Sequence, residues 1–225
     1  MRTSEFKKYL HGQIKRHGDS QNKGIRLVID VLTTSLIDLE IFNLLGTDRL
    51  SHVKHFAQAD YVYFKHFKRC CLIDLWSVAE IRIREIAAER RLRIKGRSEK
   101  VKELIAEAYN VIRSNRAKML LKRAERKLGG KFIEFPRYLS AVLRRSEFGT
   151  EETTDWRKFF DIFRIMRNSV HNNFTCTETC SLQCRGYSKD FTEGQPVVVQ
   201  FEDLQEIIKR LLEFLEKSNR RLGAG

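Results

Sequence analysis

Arg164-Ile165-Met166-Arg167-Asn168-Ser169-Val170-His171-Asn172-Asn173 is the stretch whose reading decides the fold of this 225-residue chain. At about 100° per residue, steps of three and four bring Arg164, Arg167 and His171 onto one face of a helix. Phe159, Phe163, Met166 and Val170 make an adjacent apolar stripe able to hold that helix in a core. One helix would then be both packed and chemically equipped.

Helical signals extend outward from this stretch on both sides. After Asn173 the periodicity stops, and residues 174–200, with Gln195-Pro196-Val197-Val198-Val199 near their end, predict a loop with a short two-stranded excursion. A closing amphipathic helix follows over about 202–222, with Leu204, Ile207, Ile208, Leu211, Leu212 and Leu215 on one face and Gly223 just beyond it. On the other side, Ser146 to Thr154 reads as a polar loop, and Thr154 or Asp155 as the cap of the motif helix. Phe135-Pro136 opens a shorter helix to about Arg145, with proline in its first turn.

Further upstream, Ser98 to about Leu128 predicts a helix that Gly129-Gly130 ends. Ser51 to about Ile94 lacks Gly and Pro and reads as a long helix, broken at most once. Ile25 to Leu45 is a first core helix with Gly46 at a natural C-terminal cap position. Residues 1–24 show no sustained period and are expected to be a basic N-terminal arm, solvated or weakly helical. The expectation is an all-α bundle of about five to six helices with a short β-hairpin-like excursion before the last helix, forming a single domain over 25–225.

Composition agrees, because only two prolines and twelve glycines interrupt the chain. Forty-three Lys and Arg against 29 Asp and Glu give a formal charge of +14, a field that attracts polyanions, with nucleic acid first and an anionic membrane second. The polar, basic stretch from Met1 to Gly24 does not read as a secretory signal. Ile25 to Leu45 carries Arg26, Asp30, Asp38 and Glu40, each costing about 2.5–3.5 kcal/mol near a bilayer centre, so it reads as a core helix and no membrane partner is expected. Five cysteines, an odd number in a chain of this size, suggest a reducing cytoplasm rather than a disulfide framework.

The motif stretch carries chemistry as well as packing. Arginine grips phosphate through paired hydrogen bonds and histidine moves protons near neutral pH, so Arg164, Arg167 and His171, with Asn168 between them, suit metal-free phosphodiester cleavage. The bland alternative is a helix end capped by His171 and stopped by its asparagines. At these residues the chain resembles the HEPN superfamily, helical-bundle proteins that include many prokaryotic toxin and defence ribonucleases. That family's signature is an arginine, often followed by a polar residue such as Asn, then a histidine after four to six intervening residues. Arg167-Asn168 matches the Arg-polar start with three residues before His171, and Arg164 has the longer spacing but is followed by Ile165.

The resemblance covers mainly residues 154–222. It implies a homodimer whose motif helices form a composite cleft for RNA, with an antitoxin or defence-complex partner and no cofactor. By that likeness His171 would assist proton transfer as a ribose 2′-hydroxyl attacks the neighbouring phosphate, and arginine would stabilise the charged phosphorus centre. Glu80, one turn after Trp76, is the candidate for an additional acidic residue on an earlier helix.

Candidate RNA-guiding residues come from two basic clusters, Arg90, Arg91 and Arg93 in one and Arg116, Lys122 and Arg123 in the other, each equally readable as a solvated face. Cys176, Cys180 and Cys184 recur every fourth residue, and with His171 would supply four zinc ligands. Structural zinc sites, however, use tighter cysteine pairs, so reduced loop cysteines are the preferred reading. A non-catalytic RNA-binding or interaction module stands as the competing function.

Overall fold

The computed structural model describes residues 1–48, 56–92, 94, 135–145, 148–171 and 175–219, the side chains at 43–48, 56–62, 145, 171 and 219 excepted. Among them run six helices, α1 (Thr3–His17), α2 (Lys23–Asp48), α3 (Phe56–Glu89), α4 (Phe135–Arg145), α5 (Thr150–His171) and α6 (Phe201–Asn219). An antiparallel hairpin, β1 (Cys180–Cys184) and β2 (Tyr187–Phe191), precedes α6. The protein is therefore the mostly helical chain with a late hairpin that its periodicities predict. The predicted helix over 98–128 lies outside the described residues. No helix among the described residues is long and apolar enough to cross a membrane.

The chain divides into two compact units, Met1–Arg82 with Glu147–Gly225, and Ile83–Ser146. In the first, the predicted α6 stripe is wholly buried: Leu204, Ile207, Ile208, Leu211, Leu212 and Leu215 all lie in the core. Trp156, Phe160 and Phe214 pack edge to face around it, with ring centroids 5.3 Å apart for Trp156–Phe214 and 5.1 Å for Phe160–Phe214. α2 buries Ile25, Val28, Ile29, Leu32 and Leu39, as expected of a core helix, and continues past Gly46 to Asp48.

Of the two readings of the N-terminal arm, solvated or weakly helical, the helical one holds, and the helix is docked rather than solvated. Residues 3–17 form α1, in which Phe6 and Leu10 have no exposed surface. Phe6 stacks on Phe201 of α6 at 4.8 Å, and Glu5 accepts a hydrogen bond from the Arg2 N–H at 2.7 Å, closing the first turn. Two apolar residues one turn apart suffice to dock a helix whose other faces are basic, too sparse a stripe to register as a period.

Asn22 joins α2 to α6. Its Oδ1 accepts from the Gly24 N–H at 2.9 Å, capping α2, while its Nδ2 donates to the Leu215 carbonyl at 2.9 Å. A Cβ at Gly24 would lie 2.8 Å from Arg82 Cγ and 3.0 Å from Leu215 Cδ2, so the glycine permits close approach of three helices. Asn22→Ala removes the cap and leaves the buried Gly24 N–H without its acceptor, with an expected loss of about 2 kcal/mol in urea unfolding. A loss below about 0.5 kcal/mol would show that the cap is dispensable.

The hairpin falls within the predicted excursion over 174–200, ahead of its valine run. Its strands are Cys180–Cys184 and Tyr187–Phe191, and Pro196 makes only an isolated bridge with Thr175. Arg185 (φ 43°) and Gly186 (φ 80°) form the two-residue turn, both in the left-handed region that a type I′ turn needs. A non-glycine residue is held there by its contacts: Arg185 pairs with Glu152 at 2.8 Å, Asp155 at 3.5 Å and Glu213 at 2.7 Å, and its guanidinium lies over the Trp156 ring.

Lys217 also pairs with Glu152. Partial burial raises the Glu152 pKa, but hydrogen bonds from Lys217 and Arg185 outweigh it and hold the carboxyl below its ordinary value. A depressed folded pKa contributes stability that is present above the unfolded value of about 4.3 and lost as pH falls through the folded one. Glu152→Gln should therefore flatten the acid limb of a stability profile below about pH 4, with wild type and variant converging at the acid end. Parallel profiles would show that Glu152 contributes nothing there.

In the second unit, Ile83, Ile86 and Ala87 of α3 and Phe135, Leu139, Val142 and Leu143 of α4 are buried. α3 ends with the Leu92 N–H on the Ala87 carbonyl and the Arg91 N–H on the Ala88 carbonyl, both 2.9 Å. This is the six-to-one and five-to-two pattern of a Schellman cap. Its left-handed position, usually glycine, is Arg91 (φ 49°).

Candidate active site

α5 starts at Thr150, one turn before the predicted cap, with Glu151 and Glu152 complementing its dipole. Thr154 is inside the helix, its hydroxyl donating to the Thr150 carbonyl at 3.1 Å rather than capping. The predicted stripe of Phe159, Phe163, Met166 and Val170 is buried, and so are Trp156, Phe160, Ile162, Ile165 and Ser169. Trp76 of α3 meets Phe163 edge to face at 5.1 Å.

With so much of its circumference covered, α5 leaves a narrow polar strip. Arg157, Lys158 and Asp161 are exposed along it, followed by the half-buried Arg164, Arg167 and Asn168. His171 is the last residue of α5, and its side chain lies outside the described residues.

The two arginines differ in their partners. Arg164 Nε lies 3.5 Å from Asp161 and its Nη1 lies 3.1 Å from Glu178, so its charge is met by two carboxylates. Arg167 pairs with no carboxylate among the described residues. Its Nη1 donates to Asn168 Oδ1 at 3.2 Å, and its buried Nε has no hydrogen-bond partner among the described residues. A buried donor without an acceptor costs roughly 1–3 kcal/mol, so an acceptor placed at this Nε would be stabilising. The sequence reading missed the acidic grip on Arg164. Asp161, three residues before it, was legible as a helical pair, whereas Glu178 arrives from a loop that no period marks.

Glu80 is half-buried on α3, one turn beyond Trp76. Arg90 is half-buried and Arg91 exposed at the end of α3, in the second unit, while Arg93, Arg116, Lys122 and Arg123 lie outside the described residues. Cys176 and Cys184 are buried, and the Cys176 thiol donates to the Glu178 carbonyl at 3.0 Å. Burial pushes the Cys180 and Cys184 thiols up, away from the thiolate form. Among the described residues no group of three or more His, Cys, Asp or Glu side chains is arranged to hold a metal.

The hairpin buttresses the motif helix. Tyr187 of β2 places its hydroxyl 3.9 Å from Met166 Sδ and donates to Asp203 Oδ1 at 2.8 Å. Asp203 Oδ2 in turn accepts from Lys189 Nζ at 2.7 Å and from the Gln200 N–H, the cap of α6, at 2.8 Å. Comparison with protein-family models, with curated proteins and with solved structures returned no match.

Proposed function

We propose that this chain is a HEPN-like, metal-independent endoribonuclease in which Arg167 stabilises the phosphate and His171 acts as the acid or base. The observation that supports it is the contrast on α5: Arg164 is neutralised by Asp161 and Glu178, whereas Arg167, one turn before His171, has an unpaired buried Nε and no carboxylate among the described residues. A phosphate oxygen bound there would supply the missing acceptor and the countercharge together.

In this scheme the ribose 2′-hydroxyl attacks the adjacent phosphorus, His171 moves the proton, and the chain breaks to a 2′,3′-cyclic phosphate and a 5′-hydroxyl. Asn168 holds the Arg167 guanidinium in place by its 3.2 Å hydrogen bond. Glu80 is assigned as an auxiliary acidic group. The net charge of +14 gathers RNA to the protein.

The active form is proposed to be a homodimer in the cytoplasm, pairing two α5 helices across a composite cleft, and to serve as a toxin or phage-defence effector with a neutralising or defence-complex partner. The test is cleavage of varied RNAs in EDTA by the purified protein and by His171→Ala. Cleavage by wild type that is lost in the folded variant is the expected result. Undiminished cleavage by His171→Ala removes the mechanism, and salt-sensitive RNA binding without cleavage by wild type assigns the chain to the non-catalytic class of RNA-binding modules.

A further inference from the structure

We propose that a pocket in the second unit, at the end of α3, holds one nucleotide of single-stranded RNA, with Arg91 on its phosphate and the Arg84–Tyr138 stack under its base. This rests on the RNA reading above but uses residues separate from α5. The cavity measures about 500 Å³, within the roughly 300–1,000 Å³ range of small-ligand sites. Ala87, Ala88, Leu92 and Ile94 give it apolar walls, and Arg84, Glu85, Arg91 and Tyr138 supply its polar groups.

Two features point to a nucleotide rather than to an apolar ligand. The Arg84 guanidinium lies over the Tyr138 ring, 5.3 Å from its centroid, making a flat cationic and aromatic surface of the kind on which unstacked bases are laid. Arg91 is the second. It fills the left-handed position of the Schellman cap (φ 49°), where glycine carries no steric penalty, and it places an exposed guanidinium at the pocket. No carboxylate among the described residues pairs with it. The helix end is strained by this side chain and gains from it no ion pair among the described residues, which points to a residue kept for a ligand. Glu85, in the same wall, can accept from ribose hydroxyls or an exocyclic amine.

The experiment uses the full chain carrying His171→Ala, so that binding is read without cleavage. Adenosine 5′-monophosphate and ribose 5-phosphate are titrated while the amide signals of Arg91 and Leu92 are followed by NMR. The nucleotide is expected to shift both signals and to bind more tightly than the sugar phosphate. Tyr138→Leu should weaken nucleotide binding about five-fold or more, which removes the difference between the two probes, and Tyr138→Phe should preserve it.

Arg91→Gly should weaken both probes at least ten-fold while raising Tm by roughly 2–4 °C, because glycine relieves the backbone strain. Those opposite signs separate a ligand-binding arginine from a structural one. Unmoved Arg91 and Leu92 signals at millimolar nucleotide, unchanged affinity in Arg91→Gly, or a lowered Tm would each overturn the proposal. A protein that cleaves RNA with an unresponsive pocket overturns the pocket alone. A responsive pocket on a protein that cleaves nothing supports the pocket and removes the nuclease.

Discussion

Arg167→Ala is expected to lower the rate of RNA cleavage by roughly 10²–10³-fold, the usual effect of deleting one preorganised donor to a charged transition state. Arg164→Ala should cost less than about ten-fold, because the charge it removes is already balanced by Asp161 and Glu178. The split should appear chiefly in kcat for Arg167, whose guanidinium would, under the proposed mechanism, meet charge that grows as the 2′-oxygen attacks. Single-turnover cleavage of one labelled RNA by both variants, with melting curves to confirm folding, decides it. The reverse order of losses would make Arg164 the phosphate-binding residue and assign Arg167 a packing role. Arg167→Lys supplies a further check: an ammonium keeps the charge but loses the fork, so partial activity is expected rather than rescue.

Asp203→Ala is expected to be the most destabilising change at the hairpin, by about 3 kcal/mol or roughly 6–12 °C in Tm. This carboxylate satisfies three donors at once, the Tyr187 hydroxyl, the Lys189 ammonium and the Gln200 N–H. Its removal leaves a largely buried tyrosine hydroxyl and a partly buried ammonium without their acceptor, and uncaps α6. Asp203→Asn preserves the shape and one or two hydrogen bonds, so it should cost about half as much. Melting curves of the two variants and wild type test this. A loss below about 1 kcal/mol for Asp203→Ala would mean that the hairpin is held by its apolar contacts alone.

The helices and their buried faces were legible because helix signals are local. Leu204 to Leu215 announce α6 through their spacing alone, and Phe159, Phe163, Met166 and Val170 do the same for α5. α1 was expected only as a weak short helix beside the solvated reading, since Phe6 and Leu10 are too few to make a period and their burial comes from tertiary packing on α2, Phe67 and Phe201. The hairpin was expected from composition but placed by turn chemistry: Arg185 in a left-handed turn is not a residue that advertises one, and the Glu152, Asp155 and Glu213 that hold it come from two different helices.

The candidate site was legible in part. The sequence places two arginines on one strip of α5 and favours Arg167 by the Asn168 that follows it and the single turn to His171. The structure adds Glu178, a loop residue whose position depends on tertiary structure, and the Arg167 Nε that has no partner among the described residues. Neither has a local signature. The strain at Arg91 is likewise invisible in a run of basic residues, because only the backbone angle distinguishes it from its neighbours.

The docking of α1 on α6 has a consequence for biosynthesis. Tyr9 donates to the carbonyl of Gln205 at 3.1 Å, across 196 positions of sequence. At roughly 5–20 residues per second, a ribosome needs roughly 10–40 s after making the first helix to deliver its partner. Through that interval α1 can pack only on α2 and on Phe67 of α3. The face of Phe6 that Phe201 stacks on stays open until α6 is made, and it is there that a holding chaperone has time to compete.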